Sequence, residues 1–378
     1  MTSDTKAVDR RALLITDVTG PGGVGTHICQ LTSIAQTQGW KLTILMDDAR
    51  SLDIMADSFR RLNVPVIRRG LYTAFNDEQV IRQSVLSAFK VYKPDIVHVH
   101  CGSPRSALLP RELTIDNNIP LIFTEHFVSA DIEISDDRLK RIKEVYRRTF
   151  AAIAVCQENL ELLRNHFQFY AARQPVIRYG VDLSSEERRN YLLSFPLKAI
   201  TVARLSRRKG IDILIQAIAG LSDKIRSKFQ FTLVGNGEDE NQLKQMVLGY
   251  DVERYVKFIG WTDDVQSLLD SHDLFILPSL SEGQPISLLE ALACGLPCIA
   301  SAVSGIPEVL GNNIYGCLVN PNNPMVLGEA IESFAKNPAV YQRKAQMARS
   351  YILANHNPEK NVGKILSLWN AAIKFSSI

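Results

Sequence analysis

The chain has 378 residues, of which 46% are hydrophobic and 22% charged. That composition excludes a disordered polypeptide and, at roughly 100–200 residues per domain, indicates two domains. The net charge of +3 is too small to imply nucleic-acid binding, and no run approaches the ~20 apolar residues of a membrane-spanning helix. The polar N-terminus lacks a secretory-signal pattern. The six scattered cysteines favour reduced thiols and no zinc site.

In the first half, short β-branched and apolar runs alternate with segments of helical length. Runs this apolar are typical of strands that are covered on both faces, and strand–helix alternation predicts a parallel α/β sheet. The predicted strands are 13–16, 42–45, 96–99, 121–124, 153–155 and 176–177, and the predicted helices are 26–38, 78–91, 138–151 and 157–167.

The same alternation restarts after about residue 195. It predicts two Rossmann-like halves, joined within 180–196, that face each other across a cleft and bind ligands beyond the carboxyl ends of their strands. The predicted strands are 199–202, 229–234, 256–259, 274–277 and 297–300, the predicted helices are 211–221, 238–248, 264–271 and 285–294, and the tail 340–378 has a helical pattern.

A glycine-rich loop follows the first predicted strand. Gly20, Gly22 and Gly25 match the pattern G-x-G-x-x-G, in which glycine lets backbone amides approach an anion where a helix begins. Asp47 ends the next strand, where a dinucleotide-binding fold keeps its ribose-binding acid. This loop therefore leaves an NAD-dependent oxidoreductase open as an alternative, and a tight turn without any ligand as another.

The segment richest in candidate groups runs over 278–291, PSLSEGQPISLLEA. A strand ends there, a Glu-Gly turn follows, and a helix begins near Pro285, a residue that the first helical position tolerates. The carboxylates of Glu282 and Glu290 would repel a phosphate, so they suit neutral hydroxyls beside it, such as those of a ribose and a sugar. Three backbone amides at the start of the helix point at the anion: those of Ile286, Ser287 and Leu288.

Basic groups for such an anion follow the first strand of the second half. Arg204 and Lys209 suit a diphosphate, one through its forked guanidinium and the other as a point charge. In the next loop, Gly235 permits close approach of a ribose or base, and the backbone at Ile259 is placed to read a base edge. Four successive loops thus converge on one ligand the size of a nucleoside diphosphate.

With these motifs in this order, the chain resembles the retaining glycosyltransferases of family 4, which have the two-domain GT-B fold. Two positions depart from the family pattern: Glu-Gly-Gln-Pro at 282–285 replaces the commoner Glu-Gly-Phe-Gly, and Tyr179-Gly180 stands where many members have Asn-Gly. The matching elements are Gly22-Gly23-Val24-Gly25, Glu125-His126, Arg204 with Lys209-Gly210, Val234-Gly235-Asn236-Gly237, Phe258-Ile259-Gly260 and the Glu-x7-Glu motif from Glu282 to Glu290.

The resemblance implies a role for each matching residue. Arg204 and Lys209 are expected to neutralise the departing diphosphate. Glu282 is expected to bind a hydroxyl of the transferred sugar, Glu290 to bind the ribose, and His126 to touch the sugar near its anomeric carbon. The remaining residues expected to line the donor pocket are Gly22, Gly23, Gly25, Gly235, Ile259, Gly283, Gln284, Ile286, Ser287 and Leu288.

The resemblance also implies how the chain divides. Residues 1–180 plus 359–378 are expected to form an N-terminal, acceptor-side domain, and residues 181–358 a C-terminal domain that binds the nucleotide-sugar donor. One side of the helix that returns to the first domain carries Leu366, Trp369 and Ile373.

The implied activity is transfer of a hexose, with retention of configuration, from a nucleoside-diphosphate sugar to a hydroxyl of a glycan or lipid-linked acceptor in cell-surface polysaccharide synthesis. Arg204, Lys209 and the helix amides would stabilise the departing charge in place of a metal ion, so neither a metal nor another cofactor is expected. The alternatives are a nucleotide-sugar epimerase on the same fold, the NAD-dependent oxidoreductase, and a non-catalytic protein that binds sugar nucleotides.

The segment 138–148, RLKRIKEVYRR, contains six basic residues and one acidic residue. A basic amphipathic helix can lie on an anionic membrane, although a solvated helix packed on the sheet explains the same pattern. The protein is therefore expected in the cytoplasm, with peripheral contact at the inner face of the cytoplasmic membrane as a hypothesis, and no nucleic-acid partner is expected.

Overall fold

The computed structural model describes residues 10–18, 20, 22–71, 77–182 and 195–376. The chain divides into two compact units, of which one is Met1–Gly180 with Pro358–Ile378 and the other is Val181–Asn357. Most of the predicted joint, including the charged run at 186–189, lies outside the described residues.

The first unit contains a parallel sheet of six strands. Its strands are β1 (Arg10–Thr16), β2 (Trp40–Met46), β3 (Val66–Arg68), β4 (Ile96–Cys101), β5 (Leu121–Glu125) and β6 (Ala151–Ala154). The helices between and after them are α1 (Gly23–Thr37), α2 (Asp53–Arg61), α3 (Glu78–Tyr92), α4 (Leu108–Asp116), α5 (Asp136–Arg148) and α6 (Gln157–Glu161), the last extended by a π-helical turn over Leu162–His166.

The second unit repeats this plan with a second six-stranded parallel sheet. Its strands are β7 (Leu197–Val202), β8 (Phe229–Val234), β9 (Val256–Gly260), β10 (Leu274–Leu277), β11 (Cys298–Ser301) and β12 (Cys317–Val319). Its helices are α7 (Ile211–Gly220), α8 (Asp223–Arg226), α9 (Glu240–Gly249), α10 (Val265–Asp270), α11 (Ile286–Ala293), α12 (Ile306–Val309), α13 (Pro324–Lys336) and α14 (Pro338–Asn355). The chain then returns to the first unit as α15 (Pro358–Ser376).

Both sheets have the same strand order. The first runs β3-β2-β1-β4-β5-β6 and the second, read from its other edge, runs β9-β8-β7-β10-β11-β12. In each sheet the order reverses beside the first strand, so β1 with β4 and β7 with β10 form the switch points at which open α/β sheets bind ligands. The predicted fold of two Rossmann-like α/β domains is confirmed.

Alternate residues of β4 show how the first sheet is covered on both faces. Val97, Val99 and Cys101 belong to the core cluster that includes residues of α3, α4 and α5. Ile96 belongs to the opposite cluster, with α1, α2 and α15. Because successive strand residues face opposite ways, His98 and His100 lie on the same face as Ile96.

The helix α15 supplies part of this second cluster. Trp369 is fully buried, meets Trp40 edge-on with ring centroids 4.9 Å apart, and donates from its indole nitrogen to Nδ1 of His98 at 3.2 Å. Leu366 and Ile373 pack into the same cluster, so the three apolar residues that were predicted to share one side of the helix do so.

Several elements differ from the predictions. The strand predicted at 176–177 is wrong, because only an isolated bridge joins Val176 to Ala154. The short strand β3 was not predicted, since three half-buried residues give no readable periodicity. The helical pattern of the tail is confirmed as two helices, because Pro358 begins a new helix and cannot donate the backbone hydrogen bond that would continue the previous one.

The basic segment 138–148 lies in α5. Ile142, Val145 and Tyr146 are its buried residues, while three of its arginines face carboxylates. The ion pairs are Arg141–Glu112 at 2.6 Å, Arg147–Glu144 at 3.3 Å and Arg148–Asp116 at 3.6 Å. The helix therefore packs on the sheet with much of its charge compensated, and contact with a membrane stays a prediction. No helix in the described ranges is both long enough and apolar enough to cross a bilayer.

We expect Trp369→Ala to destabilise the first unit by about 3–5 kcal/mol, the usual cost of truncating a buried tryptophan. The matched control is Phe375→Ala on the same helix, which removes an aromatic ring that is 68% exposed and should change stability by less than about 0.5 kcal/mol. Urea unfolding followed by circular dichroism measures both. Equal midpoints for the two variants would contradict the packing described for α15.

Candidate functional site

A buried ion pair lies at the carboxyl ends of β7 and β10. The Nζ of Lys209 is 2.5 Å from Oε1 of Glu282, and the same oxygen accepts a hydrogen bond of 2.7 Å from Oγ of Ser279. The lysine and glutamate side chains are 15% and 5% exposed, and Ser279 is fully buried. Since β7 and β10 are neighbours in the sheet, residues 73 positions apart in the sequence meet at the switch point.

Backbone contacts between two loops hold this pair in place. Gly210 has a left-handed backbone, with φ 63°, and a Cβ there would lie 2.1 Å from the carbonyl oxygen of Pro278. The N–H of Leu280 donates to the carbonyl of Arg208 at 2.8 Å. Glycine is therefore required at position 210 by both conformation and space, and the close approach brings Lys209 over the loop that follows β10.

The two charges of the pair compensate each other. Burial alone would raise the pKa of Glu282, but the charges of Lys209 and Arg208 and the hydrogen bond from Ser279 hold that pKa below its ordinary value. Burial lowers the pKa of Lys209, and the charge of Glu282 opposes that shift. We infer an ionised pair at neutral pH, because a buried charge is tolerated only with a partner.

The helix α11 begins just after this pair. The loop after β11 holds the turn that precedes this helix. The N–H of Glu282 donates to Oγ of Ser304 at 3.1 Å, and the N–H of Gly305 donates to the carbonyl of Gly283 at 3.1 Å. The first turn of a helix leaves backbone N–H groups without intrahelical acceptors, and the helix dipole makes that end positive. The residues predicted to present these amides occupy this turn: Ile286, Ser287 and Leu288.

Glu290 lies one turn further along α11 and is half-buried. Burial, together with the charge of Asp182, raises its pKa to about 7. Unlike Glu282, it has no cationic partner among the residues that the structure describes. A carboxyl group that is only partly ionised can both donate and accept, which suits the hydroxyls of a neutral ligand. Gln284, one of the two residues that depart from the family motif, is 4% exposed in the turn before the helix.

Arg204 pairs with Glu238 rather than with the Lys209–Glu282 pair. Its Nε donates to Oε2 of Glu238 at 3.1 Å, and the two side chains are 44% and 57% exposed. An exposed pair of this kind contributes about 0–1 kcal/mol, so Arg204 can exchange this partner for another anion at little cost.

The glycines of the loop after β8 make room for the protein's own backbone. A Cβ on Gly235 would lie 2.0 Å from the carbonyl oxygen of Ala203, and one on Gly237 would lie 2.0 Å from that of Leu205. The sequence predicts that glycine lets a ribose or base approach closely here. In the structure, the glycines instead make room for the loop that carries Arg204. Nearby in β9, 37% of Ile259 is exposed.

In the first unit, His126 directly follows β5, and the protein holds its ring at both nitrogens. Nδ1 is 2.5 Å from Oη of Tyr179, and Nε2 is 3.0 Å from Nδ1 of His100. The residue is 3% exposed. A sugar can reach a ring nitrogen of His126 only if one of these hydrogen bonds opens.

Four buried histidines gather at this place. His98 stacks on His100 with ring centroids 4.3 Å apart, and His100 stacks on His126 at 5.2 Å. His27 lies edge-on to His100 and His126, at 5.8 and 5.7 Å. Burial lowers the pKa of all four, to about 4 for His27 and about 3 for His98, so they are neutral at pH 7. Within the described ranges, no group of three or more His, Cys, Asp or Glu side chains is arranged to hold a metal ion.

Glu125, the residue before His126, contacts buried polar side chains inside the first unit. Its Oε1 accepts a hydrogen bond of 2.8 Å from Oη of Tyr146 and lies 3.4 Å from Nη1 of Arg111. Burial raises the pKa of Glu125 to about 7, although the charge of Arg111 opposes the shift. The two residues of the predicted Glu-His motif therefore point to different environments, one ionic and one made of neutral rings.

The glycine-rich loop opens α1, with Gly22 as the N-cap residue. A Cβ on Gly22 would meet nothing within 4 Å, whereas one on Gly25 would lie 2.8 Å from Sδ of Met55. Gly25 therefore lets α2 pack on α1, whereas Gly22 and Gly23 are exposed. Two residues of the loop, Thr19 and Pro21, lie outside the described residues.

Asp47 is the candidate ribose-binding acid of a dinucleotide fold, but its carboxylate is hydrogen-bonded within the protein. Its carboxylate oxygens accept hydrogen bonds from the backbone N–H groups of Leu71 at 2.8 Å and Ala49 at 3.1 Å, and it is 6% exposed. Its carboxylate therefore shapes the loops after β2 and β3, and this arrangement gives the NAD-dependent alternative no support.

Two family models match the chain, one on each side of the joint. The model described as Glycosyltransferase Family 4 matches residues 21–185, and the model described as Glycosyl transferases group 1 matches residues 185–351. Together they cover almost all of both units. The chain belongs to the family 4 glycosyltransferases.

Similar proteins agree with this assignment. The amylovoran biosynthesis glycosyltransferase AmsK of Erwinia amylovora is 35% identical over 38% of this glycosyltransferase and 37% of its own length. The first curated relatives are thus matched over less than half of their length, 37% to 42%. A UDP-Gal:alpha-D-GlcNAc-diphosphoundecaprenol alpha-1,3-galactosyltransferase of Escherichia coli is 26% identical over 84% of this chain and 85% of its own.

A solved structure extends the likeness to the whole fold. The crystal structure of HepE from Anabaena in complex with UDP has a TM-score of 0.78 and 18% identity, covering 96% of this chain and 100% of that one. The predicted GT-B fold of this glycosyltransferase is confirmed.

Sequence reasoning missed the residues that hold the predicted ones. Ser279 bonds to Glu282, and His100 and Tyr179 bond to His126. The alternation His98-Val99-His100 within a buried strand is a signal that could have revealed the histidine cluster, because alternate strand residues share a face. Tyr179 is visible in the sequence only as a departure from the family's Asn-Gly.

We expect His27 to weaken this glycosyltransferase at acid pH. Neither of its ring nitrogens has a hydrogen-bond partner among the described residues, and burial holds its pKa at about 4, below the ordinary 6.5. As pH falls below 6.5 the unfolded chain binds this proton first, so stability falls until the pH reaches about 4. His27→Leu should retain the stability of the wild type at pH 7 and lose less on acidification, by about 1.4 kcal/mol per pH unit.

The measurement is urea unfolding at several pH values between the two pKa values. The matched control is His98→Leu, which removes a histidine bonded to Trp369 and Thr124 and should destabilise the protein already at pH 7. If His27→Leu and the wild type showed the same dependence on pH, the assignment of a neutral, unpartnered imidazole would be wrong.

Proposed function

We propose that this protein is a retaining, metal-independent glycosyltransferase. It moves a sugar from a nucleoside-diphosphate sugar to a hydroxyl of a glycan or lipid-linked acceptor, in the synthesis of a cell-surface polysaccharide. The observation that carries the proposal is the buried Lys209–Glu282 pair at the switch point of the second sheet, just before the amino end of α11. A cation, an acceptor for hydroxyl groups and a row of backbone N–H groups meet there, in a chain of family 4.

The negative charge that develops during the reaction indicates the role of the cationic groups. Negative charge grows on the diphosphate as its bond to the sugar breaks, and fixed groups that stabilise this charge lower the barrier. Lys209 and the first-turn amides of α11 supply such groups. Arg204 also binds the diphosphate, which replaces Glu238 as its partner. This exchange costs little because an exposed ion pair is weak.

The two glutamates bind uncharged hydroxyl groups of the donor. In Glu282, Oε1 is occupied by Lys209 and Ser279, and no bond to Oε2 occurs among the described residues, so a sugar hydroxyl donates to that oxygen. Glu290, with its pKa raised to about 7, binds the ribose.

We propose retention because the chain belongs to a family whose members are expected to retain configuration. Glu282 is held by a lysine and a serine, and Glu290 is only partly ionised, so neither is placed as a covalent nucleophile. We infer a front-face reaction, as the family resemblance implies, in which the departing phosphate oxygen takes the proton of the attacking hydroxyl. The cationic groups take the part that a metal ion would play.

The comparisons guide the choice of substrates. The Escherichia coli relative is named for transfer from UDP-galactose to a sugar on diphosphoundecaprenol, and HepE was solved with UDP. These names support a UDP-sugar donor and a lipid-linked acceptor for this chain. We infer that the first unit, through the exposed Gly22 and through His126, contributes to binding of the acceptor and the sugar.

We expect a nucleoside-diphosphate sugar to raise the melting temperature, because a ligand that binds only the native state stabilises it, by about 2.7 kcal/mol at 100 times its Kd. A panel of UDP-glucose, UDP-galactose, UDP-N-acetylglucosamine and GDP-mannose, with NADH and NADPH as controls, measures this by thermal shift. Stabilisation by a nicotinamide nucleotide alone would contradict the proposal. Loss of the donor without any acceptor, and without release of nucleotide, would favour an epimerase.

We expect Lys209→Ala to lower the transfer rate by on the order of 10² to 10³, the usual loss when one group that stabilises the departing charge is removed. We expect Glu282→Ala to lower it by on the order of 10², because the sugar loses the acceptor that positions it. Each substitution also leaves a buried charge without its partner, at a cost of about 3–5 kcal/mol. The double variant Lys209→Met/Glu282→Gln restores charge balance, so it should regain stability without regaining transfer.

The matched control uses Lys336 and Glu332, an exposed ion pair one turn apart on α13. Alanine at either position should leave the rate and the stability unchanged. The assigned roles would fail if the double variant transferred sugar at a rate near that of the wild type.

A further inference from the structure

The ring of His126 is fixed by hydrogen bonds on both sides. Tyr179 lies on the Nδ1 side at 2.5 Å and His100 on the Nε2 side at 3.0 Å. The same three rings are stacked, with centroids 5.8 Å apart between Tyr179 and His126 and 5.2 Å apart between His126 and His100. Each of these residues is buried, so the ring cannot turn without breaking a bond that water does not replace.

The position of the proton on each ring follows from its partners. Nε2 of His100 is buried and has no hydrogen-bond partner in the part of the chain that the structure describes, and an unpaired buried N–H is rarer in proteins than an unpaired acceptor. The proton of His100 therefore sits on Nδ1 and is donated to Nε2 of His126. Since His126 is neutral and accepts at Nε2, its own proton sits on Nδ1 and is donated to Oη of Tyr179.

We propose that Tyr179 is a positioning residue that, together with His100, fixes His126 as the neutral tautomer protonated at Nδ1. The activity that this tautomer assists is the proposed sugar transfer, so the catalytic part of the inference rests on that function. In this state His126 neither gives nor takes a proton during the reaction. Its ring forms a rigid, uncharged part of the pocket.

Tyr179 is itself held rigidly. It is 3% exposed, and its ring lies 4.7 Å from that of His27. The next residue, Gly180, packs so closely on the first residue of α15 that a Cβ would lie 2.4 Å from Cα of Pro358. A fixed backbone next to the tyrosine keeps its hydroxyl in one place, as the support of a functional group requires.

The neighbouring groups favour a neutral ring. His27, His98 and His100 face His126, and burial with the nearby histidines lowers its pKa well below the ordinary value. Glu125, which precedes His126 in the sequence, is bonded to Arg111 and Tyr146 instead. Nothing among these neighbours favours an imidazolium.

The test is ¹⁵N NMR of the histidine side chains in the full-length protein, which distinguishes a ring nitrogen that carries a proton from one that does not. The chain has seven histidines, so the spectrum of His126→Asn assigns the signals of His126. The wild type should show Nδ1 protonated and Nε2 unprotonated. In Tyr179→Phe the N–H at Nδ1 loses its acceptor, so the signals should shift towards a mixture of tautomers.

The matched control is Tyr341→Phe, which removes another buried tyrosine hydroxyl, bonded to the carbonyl of Ala330 at 3.3 Å in the second unit. It should leave the signals of His126 unchanged. The proposal is overturned if the wild type carries the proton of His126 on Nε2, or if Tyr179→Phe has the same tautomer as the wild type. This result does not depend on any activity, so it stands apart from the test of the proposed function.

The second measurement is steady-state transfer with the donor found by thermal shift. Tyr179→Phe should lower kcat by on the order of 10- to 100-fold, the cost of a misplaced group, while KM for the donor stays within about twofold of the wild type. Tyr341→Phe should retain the kcat of the wild type. A mixed tautomer with unchanged kcat would also overturn the positioning role, whereas an inactive wild type with the expected tautomer would overturn only the proposed function.

Discussion

The second unit depends on one interaction, the buried ion pair between Lys209 and Glu282. Charges this far from water are stable only together, so the loops after β7 and β10 must meet wherever the unit is folded. The strand order makes them neighbours, and Gly210 lets their backbones touch because no side chain separates them. The charged groups of the candidate site are therefore already in contact in the folded unit, without any ligand.

The first unit has uncharged side chains, rather than an ion pair, near the switch point of its sheet. Its candidate site has neutral rings, since burial lowers the pKa of four histidines, and its buried charges are directed to the opposite face through Glu125 and Arg111. Under the proposed function, fixed charge in the second unit suits the leaving diphosphate, and uncharged rings with fixed hydrogen bonds in the first unit suit a sugar. The same type of sheet supports both arrangements.

Much of the fold could be predicted from the sequence, because strands covered on both faces are written as continuous apolar runs. The runs at 229–234 and 274–277 give β8 and β10 to the residue. The motif at Glu282 and the lysine at 209 were both recognisable, but their direct contact was not. It depends on which strands are neighbours and on a glycine that no local pattern requires. For the same reason Gly235 and Gly25 were assigned to a ligand, while the structure shows them touching other parts of the protein.

The return of α15 to the first unit has a consequence for biosynthesis. Trp369 completes the core beside β4, yet the ribosome makes it only after all of the second unit. At about 5–20 residues per second, the first sheet waits roughly 10–35 seconds with that face covered only by α1 and α2. The second unit is contiguous and can finish earlier. We therefore expect the order of maturation to run against the order of synthesis, with the nascent first unit as the part that a chaperone would need to shield.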